Sequence, residues 1–179
     1  MFIIIYEAEM EYRDLYDENK KLTGRVIKKD DPVPSGFYYI TVMVFIENSD
    51  GEILLQQRSQ EKGGAWATTG GHPKAGESSL EGMQAEIKEE LGVYVDLNEL
   101  VLFKTIKTED DFVDFYYLKK NIDLADIKIQ VEEVQNVSWF TKEQIEDMIQ
   151  SGEFFKWHID GYRDFLKYKM TKQDYSQNQ

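Results

Sequence analysis

The feature that most constrains this chain is a strongly predicted helix at residues 78–91. Ser78 and Glu81 have the spacing of a capping box, and Gly92 follows as a helix terminator. An apolar stripe at helical spacing runs along the segment, formed by Leu80, Met83, Ile87 and Leu91. We therefore expect an amphipathic helix that packs on a core through this stripe.

The same helix carries three glutamates, Glu86, Glu89 and Glu90, at positions i, i+3 and i+4. This spacing places the three carboxylates close together on one surface, where like charges repel by roughly a few tenths of a kcal/mol per pair. The C-terminal half of a helix also disfavours anions. Two interpretations follow: a solvated acidic face, or a site for a hard divalent cation such as Mg²⁺ or Mn²⁺, which prefers oxygen ligands.

Composition limits the function classes that remain. The 179 residues favour a single domain, and 41% hydrophobic content is enough to build its core. The absence of cysteine excludes disulfides, thiolate metal sites and a cysteine nucleophile. A net charge of −13 repels nucleic-acid backbones and anionic lipid, so neither is expected as a partner.

The pattern of strands and helices predicts a mixed sheet packed by helices. A hairpin is expected at residues 12–28, followed by a proline-containing loop at 30–36 and a loop at 58–71. Capping residues at Thr141 and Gln144 predict a short second helix, and a last helix is expected to start near Phe154. The expected strands are 37–46, 53–57, 101–107, 112–119 and 134–140.

The N-terminus carries a short apolar run at residues 2–5, followed by acidic residues. The run is too short to span a bilayer and has no basic start, so we expect neither a membrane anchor nor a signal peptide. We treat residues 1–11 as an N-terminal extension and residues 12–179 as one domain in a cytoplasmic protein. The aromatic segment 154–168 is expected to cover the sheet or to form a contact between two copies of the chain.

Residues 71–93 closely resemble the Nudix box. The family pattern is Gly, five residues, Glu, seven residues, then Arg-Glu-aliphatic-any-Glu-Glu-any-Gly-aliphatic. The one departure in this chain is Ala85, which stands where the family has arginine. The matching positions are Gly71, Glu77, Glu86, Ile87, Glu89, Glu90, Gly92 and Val93.

The resemblance extends over roughly residues 12–150 and includes an N-terminal hairpin similar to that of Nudix proteins related to isopentenyl-diphosphate isomerases. It implies an α/β/α sandwich with a mixed sheet. It also implies a metal-dependent hydrolase of a phosphoanhydride, whose substrate is a nucleoside diphosphate linked to another moiety.

Roles follow from the resemblance position by position. Glu86, Glu89 and Glu90 would be metal ligands together with the Gly71 carbonyl, and Glu86 and Glu89 would also be counted as catalytic. Glu77 would be an auxiliary metal-binding or structural carboxylate, and Arg58 a contact to substrate phosphate. Glu133 is the first candidate for the catalytic base, with Glu132 beside it and residues 109–111 as the second choice.

Two alternatives remain open. The family arginine orients a neighbouring glutamate, so Ala85 leaves three outcomes: Lys88 or Lys74 replaces it, activity is reduced, or the domain binds a diphosphate ligand without hydrolysing it. His72 and Pro73 resemble isopentenyl-diphosphate isomerases, which use a cysteine at the position that is Gly70 here. An isomerase is therefore the weaker alternative.

Overall fold

The computed structural model describes residues 11–177, with side chains described to residue 172. The apolar run at residues 2–5 lies outside this part of the chain. The described chain begins with the predicted hairpin, whose strands are β1 (Tyr12–Tyr16) and β2 (Leu22–Lys28). A backbone bridge between Tyr16 and Tyr38 connects this hairpin to the main sheet.

The main sheet has seven strands in a mixed arrangement. Strand β3 runs parallel to β8 and antiparallel to β4 and β6, while β9 pairs with the other side of β4. The strands are β3 (Tyr39–Glu47), β4 (Ile53–Arg58), β5 (Trp66–Ala67), β6 (Thr69–Gly71), β7 (Val101–Lys107), β8 (Asp111–Lys119) and β9 (Val134–Phe140).

Helices cover both faces of this sheet. On one face, α1 (Ser79–Leu91) buries Met83, Ile87 and Leu91 against β3 and β8. On the other, α2 (Lys142–Ser151) and α3 (Ile159–Gln177) pack on a core that includes Phe45 and Phe165. The predicted α/β/α sandwich with a mixed sheet and an N-terminal hairpin is therefore confirmed. Within residues 11–177, every helix is too short or too polar to cross a membrane.

Both capping boxes predicted from the sequence form. Ser78 caps α1 with Glu81, and Thr141 caps α2 with Gln144, each through reciprocal side-chain and backbone hydrogen bonds. Gly92 ends α1 in the left-handed conformation with φ of 68°. These local signals fix the start of α1 and therefore the direction in which its glutamates point.

Two expectations about secondary structure were wrong. Residues 58–71 are not only a loop, because Trp66–Ala67 and Thr69–Gly71 form short strands on β4 and β3. The last helix begins at Ile159 rather than near Phe154, because Phe154 forms a backbone bridge with Trp66. A single turn of 3₁₀ helix, Lys156–His158, intervenes. The aromatic C-terminal segment does cover the sheet, since Phe154, Tyr162 and Phe165 are buried.

Candidate functional site

A cavity of about 240 Å³ lies where α1, β4, β6 and the N-terminal hairpin meet. Helix α1 supplies its acidic wall because the buried apolar stripe turns the glutamates toward β6. The cavity brings together residues that were predicted from the sequence to act at a site or were considered there, among them Arg58, Gly71, His72, Lys74, Glu86, Glu89, Glu90 and Glu133.

Glu86 lies directly against Gly71. Its Oε1 accepts a hydrogen bond of 2.9 Å from the backbone N–H of His72, and a Cβ on residue 71 would overlap the carboxylate. Burial raises the pKa of Glu86 to about 7, with a further contribution from the nearby Glu89. The ionised form is therefore held at a cost unless a cation compensates it.

Glu90 is the most deeply buried of the three glutamates, with 7% of its surface exposed. Its Oε2 accepts a 2.7 Å hydrogen bond from the side-chain amide of Gln56. The Thr69 hydroxyl in turn donates to the side-chain oxygen Oε1 of Gln56. Burial raises the pKa of Glu90 to about 8, and the negative charge of Glu86 contributes to the shift. Both buried carboxyl groups thus face the same cavity in an environment that disfavours two negative charges.

Glu89 points toward solvent at the cavity rim, where its Oε1 lies 2.7 Å from the Lys74 ammonium. Glu77 stays outside the cavity lining and accepts a hydrogen bond from the Lys74 backbone N–H at 2.9 Å. Within the described residues, Glu77 therefore holds the loop that presents Lys74, which fits the structural part of its predicted role.

Cations also line the cavity. Lys29 pairs with Glu11 at 2.6 Å, and Lys62 pairs with Glu133. In the part of the chain that the structure describes, Arg13 and Arg58 form no ion pair with a carboxylate. The Arg58 guanidinium lies 4.3 Å from the centroid of the Phe155 ring, and its Nε donates to the Lys62 carbonyl. Its remaining N–H groups are available to an anionic ligand.

The polar residues in this region that were not identified as site residues from the sequence include Gln56, Thr68 and His158. Gln56 follows the apolar residues Ile53, Leu54 and Leu55 at the end of β4, and that change of polarity was the available signal. His158 is buried in the turn before α3 and lines the cavity.

Two groups of predicted acidic residues lie elsewhere. Glu132 and the turn at residues 109–111 are outside the cavity lining, as far as the described residues define it. Asp111 is buried at the start of β8, where it accepts hydrogen bonds from Thr41 and Thr108. Its side chain thus stabilises the strand ends.

The distances between possible ligands decide whether these side chains can hold a metal ion in their present positions. Across residues 11–177, no three histidine or acidic side chains are close enough to hold a metal ion as they stand. The donor chemistry nevertheless fits a divalent cation, because Glu86 and Glu90 are buried carboxylates of raised pKa in one cavity. Glu89 would join them through its Oε2, which has no hydrogen-bond partner among the described residues, while Lys74 stays on Oε1.

Comparison with known proteins identifies the family. Residues 38–163 match the sequence model of the NUDIX domain, which covers more than half of the chain. The chain belongs to the Nudix family. An uncharacterized Nudix hydrolase of Listeria monocytogenes is 33% identical over 150 residues, which are 81% of this chain and 88% of the relative. The prediction of a Nudix-type phosphoanhydride hydrolase is thereby confirmed at the level of the enzyme class.

Two further similarities bear on fold and on the alternatives. An isopentenyl-diphosphate Δ-isomerase of Pectobacterium atrosepticum is 40% identical over 83 residues, which are 44% of this chain and 46% of that enzyme. A Deinococcus radiodurans crystal structure superposes with a TM-score of 0.65 at 24% identity, covering 80% of this Nudix chain and 91% of the other. The second comparison supports the fold alone.

Proposed function

We propose that this chain is a divalent-metal-dependent hydrolase of a nucleoside diphosphate linked to another moiety. The observation that carries the proposal is the presence of buried Glu90 and half-buried Glu86 in one cavity with Arg58, which has no ion pair among the described residues. Such a cavity offers an acidic wall to a cation and a basic wall to the anion that accompanies it. We propose Mg²⁺ or Mn²⁺ as the cation.

The proposed metal ligands are Glu86, Glu89, Glu90 and the carbonyl of Gly71. A divalent ion bound there would lower the pKa of a coordinated water and offset charge on phosphoryl oxygens. The chain itself orients these ligands: the His72 N–H fixes Glu86 and the Gln56 side chain fixes Glu90. These hydrogen bonds restrict the positions of both carboxylates before any ligand binds.

Arg58 is proposed to bind a phosphoryl group of the substrate. Phe155 and the Lys62 carbonyl hold the guanidinium in place, so that fewer rotamers are lost on binding than for a free arginine. Glu133 is proposed to accept a proton from the attacking water. Its ion pair with Lys62 holds the carboxylate at the cavity edge, and the anionic substrate would compete for Lys62 and free the base.

The alternatives are weaker on specific grounds. The Lys74–Glu89 ion pair supplies a cation beside a box glutamate despite Ala85, which favours hydrolysis over binding without turnover. The isomerase alternative lacks its cysteine, since residue 70 is glycine and the chain has none elsewhere. The cytoplasmic location and a dimer contact remain predictions.

The test is a Mg²⁺- and Mn²⁺-dependent hydrolysis assay over nucleotide sugars, dinucleotides, nucleoside triphosphates and isopentenyl diphosphate. Glu90→Gln should reduce turnover by roughly a hundredfold or more, because it removes a charged ligand in a buried site. Glu143→Gln is the matched control, since the same change on the exposed surface of α2 should leave turnover unaltered. Equal turnover in both variants would refute the proposal.

A further inference from the structure

The side chain of His158 is held rigidly although it lies in a short connecting turn. Its segment is fixed to the sheet edge by two backbone hydrogen bonds between Trp66 and the residues before the turn, Glu153 and Phe155. The His158 side chain is 6% exposed, and its Nδ1 lies 3.0 Å from the hydroxyl of Thr68. The ring therefore has one orientation in the cavity wall.

The hydrogen bond between Thr68 and His158 identifies which nitrogen of the His158 ring carries the proton. Thr68 is 1% exposed, and within the described residues its hydroxyl has a hydrogen bond only with His158. A buried hydroxyl that donates nowhere carries a desolvation penalty, so the Thr68 hydroxyl donates to Nδ1. The proton of the neutral ring is then on Nε2. Burial, together with the charge of Arg58, lowers the pKa of His158 to about 4, so the ring is neutral at pH 7.

The Nε2–H group has no acceptor in the part of the chain that the structure describes. Among the described residues, the buried side-chain atoms without a partner are Ser59 Oγ and Tyr162 OH, and Nε2 is not one of them. His158 is one of the residues that line the cavity. Within the described residues, the Nε2–H is thus an unused donor, whereas other polar groups of the wall are paired. Gln56, for example, uses both its amide groups, on Glu90 and Thr69.

Arg58 and His158 share Phe155 as a neighbour, and the charge of Arg58 acts on the imidazole. The Phe155 ring contacts both side chains, with 4.3 Å from its centroid to the guanidinium carbon and 5.1 Å to the His158 ring centroid. Arg58 is without an ion pair among the described residues, so a ligand bound to it is expected to be anionic and rich in oxygen acceptors. A neutral N–H donor beside a cation matches a phosphoryl group, which offers several oxygens at once.

We propose that His158 is a substrate-binding residue, whose Nε2–H donates to a non-bridging oxygen of the phosphoryl group bound by Arg58. The proposal rests on the proposed function for its substrate class. His158 positions the phosphoryl group from the C-terminal segment, outside the glutamate helix. Thr68 contributes indirectly, because its hydroxyl keeps the ring in the tautomer that presents a donor.

The first test is imidazole nitrogen NMR of the full chain with Mg²⁺ and imidodiphosphate, a probe that is not hydrolysed. The chain has two histidines, so two sets of ring signals are expected, and the set missing in His158→Phe is that of His158. Without ligand, His158 should show the neutral Nε2–H form. On addition of the probe, its Nε2–H proton should move downfield and exchange more slowly with water.

The second test measures imidodiphosphate affinity by calorimetry. His158→Phe keeps the ring and loses the donor, and should weaken binding roughly tenfold or more. His158→Gln should recover part of that loss, because its amide can donate, and it also serves if the phenylalanine variant does not fold. Thr68→Val should weaken binding severalfold, because the His158 ring is then no longer held in the tautomer with its proton on Nε2. Trp157→Phe is the control, since Trp157 is 71% exposed and should not matter.

The outcomes separate this inference from the proposed function. An unmoved His158 signal and unchanged affinity in both His158 variants would overturn the inference, even if the chain hydrolyses a substrate. A shifted signal and weakened binding in a chain that hydrolyses no member of the panel would support His158 and refute the hydrolase. For an active enzyme, a raised KM with a smaller change in kcat in His158→Phe supports a binding role.

Discussion

The ammonium of Lys74 lies 2.7 Å from a carboxylate oxygen of Glu89, and this pair stands beside the position where the family arginine is replaced by Ala85. Of the two lysines considered from the sequence as replacements, Lys74 on the loop before α1 makes the contact. Lys88 lies on the exposed side of the helix.

We predict that Lys74→Met lowers kcat severalfold while changing stability by less than about 1 kcal/mol, because the pair is solvent-exposed. Adding Ala85→Arg should restore kcat by supplying a cation from the helix. The matched control is Lys88→Met, which should leave kcat unchanged. Steady-state kinetics of the parent and the three variants provide the measurement, and a Lys74→Met enzyme as active as the parent would contradict the replacement.

Sequence alone predicted the helix and its glutamates well because the signals are local. The capping box at Ser78 and the apolar stripe fix where α1 starts and which side is buried. The identity of the cation beside Glu89 was not predictable, since it depends on the path of a loop whose shape Glu77 and Pro73 determine. Pro73 packs against Gly82 so closely that a Cβ there would overlap it.

The contribution of the C-terminal segment could not be predicted because it depends on pairing between distant residues. Trp66 and Phe154 are far apart in the sequence, and their bridge delays α3 and places His158 in the cavity wall. Strands of two or three residues, such as β5 and β6, likewise form only because β3 and β4 are already in place. No local pattern marks them.

The metal-free protein should become less stable as pH rises above about 6.5. The pKa values of Glu86 and Glu90 are raised to about 7 and about 8 from 4.5, so between these values the folded state binds more protons than the unfolded state. The free energy of unfolding then falls with rising pH, by on the order of 2 kcal/mol between pH 6.5 and 8.

The two histidines do not contribute to this fall in the free energy of unfolding between pH 6.5 and 8. The pKa values of His72 and His158 are lowered to about 3 and about 4, so both affect stability only below about 6.5, where falling pH destabilises the folded state. Urea denaturation in EDTA measures the slope. Glu90→Gln should flatten it and Glu143→Gln should not, whereas a parent protein whose stability rises from pH 6.5 to 8 would contradict the account.

Gly71→Ala should disrupt the arrangement of Glu86 and Glu90 in the cavity, because the alanine Cβ would overlap the Glu86 carboxylate. We expect at least a tenfold loss of Mn²⁺ affinity, by displacement of a ligand from its hydrogen bond with the His72 N–H. Gly161→Ala is the contrasting variant, since its Cβ would overlap Phe115 on the face away from the cavity. It should lower Tm and leave Mn²⁺ affinity unchanged, and equal affinity loss in both would point to general unfolding.

The N-terminal hairpin should depend on the ion pair between Lys20 and the fully buried Asp114, which lie 2.5 Å apart. Lys20→Met leaves the carboxylate without its counter-charge and should cost about 2 kcal/mol, less than for a wholly buried pair because Lys20 is 27% exposed. Chemical denaturation measures the loss, with Lys21→Met on the exposed surface as control. Equal stability of the two variants would show that Asp114 does not need this cation.

The central claim is that Glu86 and Glu90 form the core of a metal centre, and equilibrium binding of Mn²⁺ followed by electron paramagnetic resonance tests it most directly. The account predicts that the parent protein and Glu143→Gln bind Mn²⁺ alike, and that Glu86→Gln and Glu90→Gln each bind at least tenfold more weakly. Unchanged Mn²⁺ affinity in both of the buried variants would contradict it.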